Sequence, residues 1–329
     1  MKLSDIARAI AGELVGLDAD AGSFSTDTRT LQANDVFIAL SGARTNANDL
    51  LAQAAAKGAL AAITETLDPS AGIAQIVVAD CHAALGRLAT AWCERFPKLT
   101  KVAMTGSAGK TSTKEMTARI FEGLGNTLAT QGNFNNDIGV PLTLLRLRDE
   151  HQFGVFELGA NHLGEIAYTA AMVKPQAAVI TNVGTAHLEG FGSREGIARA
   201  KGEIFAALGE NGVAVINRDD EFSDFWLATL GARRVVTFSL HAGADIYASN
   251  INHGETPQYA FQLHIGEQSA PVQLQVLGRH QVANALAAAG LAHACGVSLE
   301  AIVQGLSSTR PFMGRSVLHR LGESYLIDD

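Results

Sequence analysis

An α/β fold of two or three domains is what the sequence predicts, and three observations carry that expectation. From Thr100 onward short apolar runs, "KVAMTG", "FGVFELG", "AAVITNVG" and "GVAVINRDD", alternate with helical stretches, the pattern of a mainly parallel sheet flanked by helices on both faces. From about 243 to 277 the pattern changes to period-two alternation, as in "YAFQLHI" and "VQLQVLG", which predicts a small antiparallel sheet attached to the parallel one. The chain has 329 residues, 47% of them hydrophobic and only 7 of them proline, ample for real cores at roughly 100–200 residues per domain.

Taken in order, the elements begin with "MKLSDIARAI", where Leu3, Ile6, Ala7 and Ile10 have the spacing of one helix face. This start lacks the unbroken apolar core of a signal peptide and reads as the first helix of the mature fold. Up to about residue 97, strand-like "DVFIAL" and "QIVVAD" mix with Ala-rich runs read as helical, such as "DLLAQAAAKGALAAI". "RFPKLT", with Pro97, then breaks the pattern and marks a boundary. Lys57, Arg87, His280 or Asn284 interrupts the Ala-rich runs before they reach bilayer-spanning length, so no membrane segment is expected. At the other end "YLIDD" reads as a strand, at which the sequence stops as if at the edge of another domain.

Charge and cysteines narrow the function. A net charge of -8 argues against broad nucleic-acid or membrane-surface binding, since both use a cationic field against phosphate. An anionic substrate then needs local cations. Cys81, Cys93 and Cys295 are odd in number and form no CxxC pair, so three reduced, mostly buried thiols in a cytoplasmic protein are expected rather than a disulfide framework or a zinc site.

"TGSAGKTST" lies between an apolar run and a helix. A Gly-rich turn in that place lets backbone N–H groups of Thr105, Gly106, Ser107, Ala108, Gly109, Lys110, Thr111 and Ser112 gather around one anion, and the helix N-terminus adds partial positive charge. Lys110 then reaches the terminal phosphates, and Thr111 supplies a hydroxyl of the kind that ligates the accompanying Mg²⁺. Met104 stands where the full GxxxxGK[ST] pattern has its first Gly, so the strand before and the helix after carry the reading. A P-loop alone does not separate kinases, GTPases and ligases. Three further clusters bear on the choice. Glu157 ends the apolar strand of "FELGANHLGEI", where ligand chemistry gathers on an α/β sheet, although a carboxylate there also caps neighbouring helices. His187 sits in the Gly-rich "ITNVGTAHLEGFGS" after another strand. Lys201, between Ile197 and Phe205 in "GIARAKGEIFAAL", is placed on or near an apolar helix face, where an ordinary lysine would snorkel to water.

In this order "TGSAGKTST", "GNFNNDIGVPLTLL", "FELGANHLGEIAYT", "TAHLEGFG", "AKGEIF", "GRHQVANALAA" and "YLIDD" closely resemble the Mur ligases of peptidoglycan synthesis, over nearly the whole chain. The resemblance implies a three-domain enzyme: a UDP-substrate domain over 1–98, a central P-loop ATPase domain over 99–312, and the start of a third domain over 313–329. It implies ATP-dependent amide ligation through an acyl phosphate, with ATP, two Mg²⁺ sites, and CO₂ held as a carbamate on Lys201. The "NNDIGVPLTLL" and "ANHLGEI" runs point to UDP-N-acetylmuramoyl-tripeptide and D-Ala-D-Ala as substrates rather than to a sister ligase or folylpolyglutamate synthase. By resemblance Thr111, Glu157, His187 and Lys201 serve the metals, with Lys110, His187 and Lys201 catalytic. His280 and Asn284 match adenine-side contacts, Arg315 a phosphate contact and Asp329 the ribose contact. Thr26, Asp27, Thr28 and Arg29 of "STDTR" match the nucleotide end of the UDP substrate, and Asn135 and Asn136 its peptide end, while "STDTR" is also ordinary turn chemistry. The family's Phe-Asp-Gly-His-Asp is replaced here by Thr45, Asn46, Ala47, Asn48 and Asp49, and Ala47 loses the residue best able to adopt positive φ. A monomer is expected, and a chain stopping at Asp329 is expected to bind nucleotide without making peptide, as a nucleotide-binding module.

Overall fold

The computed structural model describes residues 1–42, 46–185, 188–310, 317–321 and 324–328. The chain forms two compact units, one of Met1–Pro97 with Asp137–Leu147, the other of Lys98–Asn136 with the chain from Arg148 onward.

The first unit is built on a five-stranded sheet of β1 (Glu13–Val15), β2 (Phe24–Ser25), β3 (Val36–Ile38), β4 (Ala61–Thr64) and β5 (Ala74–Val77), in the order β1-β5-β4-β3-β2. β2 to β5 run parallel and β1 closes one edge antiparallel to β5. The helix Leu3–Ala9 buries Leu3, Ile6 and Ala7, as the spacing predicts. The Ala-rich run is not one helix. Its helix covers only Leu51–Ala56, Gly58 turns the chain with φ +82°, and Ala61–Thr64 becomes β4, buried between β3 and β5. Alanine fits both a helix and a crowded central strand and sets no period, so the glycine decided where the helix stopped. Helix Gly139–Leu144 joins this unit from later in the chain, and Trp92 Nε1–H donates to the Leu147 carbonyl at 3.2 Å.

The second unit carries a nine-stranded sheet of β6 (Thr100–Thr105), β7 (Thr127–Ala129), β8 (Phe153–Glu157), β9 (Ala177–Ile180), β10 (Val213–Asn217), β11 (Arg234–Ser239), β12 (Ile246–His253), β13 (Gln258–Ile265) and β14 (Gln268–Leu277). Its order is β14-β13-β12-β11-β10-β9-β6-β8-β7. The period-two segment forms the antiparallel edge β12-β13-β14, joined to the parallel part through Phe238 opposite Ile246. Val102, Met104, Val155, Val179 and Val215 pack with Met116, Ile120, Phe121 and Leu286 from the helices Lys110–Glu122 and His280–Ala294. A separate antiparallel pair, β15 (Val317–Leu321) and β16 (Ser324–Asp328), contains the strand expected at "YLIDD". Cys81 and Cys93 are buried and Cys295 half-buried, and burial pushes the Cys81 and Cys295 thiols up to about 12. Among the described residues no helix is long and apolar enough to cross a membrane.

Candidate active site

The carboxyl ends of the adjacent strands β10, β9, β6 and β8 gather the polar residues of the second unit. β6 ends at Thr105, the chain turns through Gly106 to Gly109, and a helix begins at Lys110. Met104 proves to be a fully buried residue of β6 whose carbonyl accepts the Leu158 N–H at 2.8 Å, so that position makes no demand for glycine. The turn itself does. Gly109 has φ +79°, and a Cβ on it would lie 2.2 Å from Asn284 Oδ1; one on Gly106 would lie 1.8 Å from Thr181 Oγ1.

The loop after β9 holds this turn in shape. Ser107 N–H donates to the Asn182 carbonyl at 2.9 Å and Ala108 N–H to Asn182 Oδ1 at 3.0 Å. Asn182 Nδ2 and Thr181 Oγ1 both donate to the Ala108 carbonyl, at 3.1 and 2.6 Å. Asp220 in turn fixes that loop by accepting the Val183 N–H at 2.7 Å, and Arg194 donates to the Val183 carbonyl at 3.2 Å. Lys110 Nζ folds back to donate to the Gly106 carbonyl at 2.8 Å.

Hydrogen-bonding capacity here is left open. Among the described residues, Thr105 Oγ1, Ser107 Oγ, Thr113 Oγ1 and Glu157 Oε2 are buried atoms with no hydrogen-bond partner. A buried polar atom without a partner costs about 1–3 kcal/mol, and more when the group is charged, so four such atoms on the end of β6, its turn and helix, and the end of the adjacent β8 are the chemistry of a site that a ligand would complete. Glu157 ends β8 opposite Met104, only 2% exposed. Its N–H donates to Thr130 Oγ1 at 3.0 Å and its Oε1 accepts Asn135 Nδ2 at 2.8 Å, while Oε2 stays open.

Lys201 does not snorkel. It is 3% exposed in the helix Arg194–Gly202. Burial, with the neighbouring Lys110 cation second, brings its amine down to about 7. The fold thus brings Lys110 and Lys201 close enough to repel. Asn284 is buried against Gly109, its Nδ2 donating to Gln281 Oε1 at 2.9 Å, and His280 is exposed with its ring over Gly278. Asn135 stands at the Glu157 carboxylate, next to exposed Asn136. His187, Arg315, Asp329 and Thr45 lie outside the described residues. Among the described residues no three His, Cys, Asp or Glu side chains form a metal cage. Mg²⁺ is held by one or two protein groups together with substrate phosphates, and the buried open oxygen of Glu157, with the Thr111 hydroxyl, is the chemistry of such a holder.

In the first unit the "STDTR" turn is self-satisfied. Asp27 Oδ1 accepts the Arg29 N–H at 2.8 Å, and Arg29 Nη2 donates to Asp27 Oδ2 at 2.6 Å. Arg29 holds the Asp27 carboxyl down to about 2. Thr28 is buried and donates to Gln53 Oε1 at 3.1 Å, while Thr26 is half-buried. Ala47 opens a 3-10 turn, Ala47–Leu50, with no left-handed backbone, and its N–H donates to Ser41 Oγ at 3.1 Å. The exchange of glycine for alanine therefore introduces no strain there.

Sequence reasoning missed the residues that hold the site. Asn182, Asp220, Thr130 and a buried Lys114 act through tertiary contacts; only the place of Asn182 and Asp220 just after apolar strands could have pointed to them.

The chain is similar in sequence and fold to known proteins. The Mur ligase middle domain family matches residues 104–292. The chain is 46% identical over 329 residues to the UDP-N-acetylmuramoyl-tripeptide–D-alanyl-D-alanine ligase of Escherichia coli (strain K12), covering 99% of this chain and 72% of that one. The crystal structure of MurF from Acinetobacter baumannii has a TM-score of 0.92 at 41% identity, covering 99% of this chain and 72% of that chain. MurF ligase from Thermotoga maritima, in complex with ADP, has a TM-score of 0.81 at 28% identity, over 93% and 70% of the two chains.

Proposed function

Because the chain belongs to the Mur ligase family, we propose that it is an ATP-dependent amide ligase that adds D-Ala-D-Ala to UDP-N-acetylmuramoyl-tripeptide. The observation that carries this reading is the P-loop turn beside a buried carboxylate with one open oxygen, on the scaffold of a ligase whose relative binds ADP. The peptide's terminal carboxylate attacks the γ-phosphorus of ATP, and the bond to the leaving ADP breaks. The amine nitrogen of D-Ala-D-Ala then attacks the acyl carbon, loses a proton, and phosphate leaves.

The chain's own groups supply the electrostatics. Lys110 exchanges the Gly106 carbonyl for phosphate oxygens, placing its cation where charge grows during transfer. The rigid turn and the helix N-terminus hold the phosphates from the other side. Thr111 and Glu157 hold Mg²⁺, with His187 and Lys201 at a second site. The ion supplies charge neutralisation on the phosphate oxygens. Lys201 is read as a carbamate, formed when its neutral amine adds CO₂ and releases a proton. Support comes from its burial, which disfavours the ammonium, and from Lys110 nearby, which an anionic carbamate attracts. Asn284 and His280 are assigned to the adenine side, Arg315 to phosphate and Asp329 to ribose. Residues 1–98 are read as the UDP-substrate domain, with Thr26, Asp27 and Arg29 at the nucleotide and Thr28 holding their turn through Gln53. Residues 99–312 are read as the ATP domain, and its Asn135 and Asn136 are assigned to the peptide. Because it uses ATP and a UDP-linked substrate, the reaction is read as cytoplasmic.

The test is an assay of the complete gene product with both substrates and MgATP, reading pentapeptide and phosphate. Product at one phosphate per bond is expected, and Lys110→Ala should lower turnover by several orders of magnitude with the fold intact. Near-normal turnover in that variant would remove the P-loop assignment.

A further inference from the structure

Lys114 lies one turn beyond Lys110 on the P-loop helix, and it is 2% exposed. Its Nζ donates to the Thr130 carbonyl at 2.8 Å and pairs with Glu115 Oε1 at 2.6 Å. A lysine in a helix ordinarily leads its ammonium to water. Burying one carries a desolvation penalty of several kcal/mol, and an apolar residue of similar volume is often as stable or more so. Core stability alone therefore does not account for an ammonium here.

The partner it holds is informative. Thr130, just past β7 and 2% exposed, is the node on which Glu157 rests. Its Oγ1 accepts the Glu157 N–H at 3.0 Å, and its own N–H donates to the Val155 carbonyl at 3.0 Å. The loop it begins returns at Asn135, which donates to Glu157 Oε1 and accepts the Gly159 N–H at 2.7 Å. A continuous path thus runs from the helix that carries Lys110 and Thr111, through the Lys114 ammonium and Thr130, to the main chain of Glu157, whose carboxylate is held at Oε1 by Asn135 and has no partner at Oε2 among the described residues.

We infer that Lys114 is a positioning residue: it fixes the Glu157 carboxylate relative to the Thr111 hydroxyl, so that one cation can be held by both. The inference rests on the reading of Glu157 and Thr111 as the magnesium-side groups. Lys114 touches neither the cation nor the nucleotide. Its loss therefore weakens the response to magnesium and leaves magnesium-free nucleotide binding unchanged.

The experiment is calorimetric titration of ATP, with excess chelator and across a series of MgCl₂ concentrations, on the wild type, Lys114→Met, Thr130→Val, Glu115→Gln and Glu157→Gln. Partners behind metal ligands typically alter metal affinity by about 10–100-fold. A rise of that size in the magnesium concentration giving half-maximal tightening is expected for Lys114→Met and, in the same direction, for Thr130→Val. Glu115→Gln keeps the bond to Thr130 and should match the wild type. Glu157→Gln should abolish the response. If Glu157→Gln retains it, the magnesium reading fails and takes this inference with it. If Glu157→Gln loses it while folded Lys114→Met keeps the wild-type midpoint, or weakens binding equally with and without magnesium, the inference alone is overturned. Should Lys114→Met not fold, Thr130→Val decides, and an unchanged midpoint there overturns the proposal.

Discussion

Two polar turns, each following a strand, invite comparison. At "STDTR" after β2, Asp27 and Arg29 bond each other and Thr28 bonds Gln53, so little capacity is left over. At "TGSAGKT" after β6, the main chain is pinned by Asn182 and Thr181 while, among the described residues, the Thr105, Ser107 and Thr113 hydroxyls and Oε2 of Glu157 on the adjacent strand have no partner. Both stretches read as polar turns in sequence. They differ in where the hydrogen bonds go: one turn is complete as folded, the other is a rigid frame around unmet demand. Open buried capacity on a fixed backbone is what a nucleotide site needs, because donors already in place lose little on binding.

Glycine substitutions give the sharpest contrast between the two units. Gly109→Ala forces a side chain into left-handed backbone, about 1–2 kcal/mol, and crowds Asn284, adding about 1–3 kcal/mol. Gly58→Ala in the first unit meets the same backbone demand with φ +82° but finds its neighbour Ala33 at an ordinary 3.4 Å, so only the conformational part, about 1–2 kcal/mol, is expected. Urea unfolding should show the larger loss for Gly109→Ala, together with weakened MgATP binding. Asn284→Ala in that background should restore the packing part alone. Equal losses at the two glycines would mean that the P-loop turn is no more constrained than a helix end.

The P-loop was legible because its chemistry is local: a strand, small residues and Gly-Lys-Thr within one stretch of chain. Glu157 was legible for the same reason, as the last residue of an apolar strand. Lys114 was not, since four residues from Lys110 on a helix it has the spacing of a solvated lysine, and its ammonium is held by the carbonyl of Thr130, sixteen residues on, beside its neighbour Glu115. The strand β4 was hidden because alanines carry no period, and the Asn284 contact with Gly109 because it joins residues far apart in sequence. What depends on neighbours in space rather than in sequence leaves no local pattern.

Lys201 separates the two regions by pH. Unfolded, its amine holds a proton up to an ordinary 10.5, whereas folded it releases it above about 7. Between these values the unfolded chain binds more protons, so stability rises with pH; below about 7 both states are protonated and the dependence vanishes. One such proton gives a slope of up to about 1.4 kcal/mol per pH unit. Urea unfolding in CO₂-free buffer, from pH 7 to 9, should show this rise in the wild type and lose it in Lys201→Met. Identical slopes in the two proteins would mean that the ammonium is solvated and that Lys201 is no part of the open site.

The smallest effect tests the self-satisfied turn. Thr28 donates its hydroxyl to Gln53 Oε1 from a buried position, a bond confined to the first unit, so Thr28→Val removes one neutral hydrogen bond and leaves the glutamine oxygen short of a donor. A net hydrogen bond contributes about 0.5–1.5 kcal/mol, and the exchange of a hydroxyl for a methyl offsets little of it. The hydroxyl is already engaged, so as the turn stands it does not offer it to the UDP-substrate. Thr28→Val should therefore lower unfolding free energy by about 1 kcal/mol while leaving the KM for the UDP-substrate unchanged. Arg29 differs, because its exposed guanidinium can exchange Asp27 for a diphosphate, and Arg29→Ala should raise that KM with little change in stability. A raised KM in Thr28→Val at unchanged stability would show that the turn opens to its ligand, and the contrast between a closed turn and an open frame would then describe only the protein without substrate.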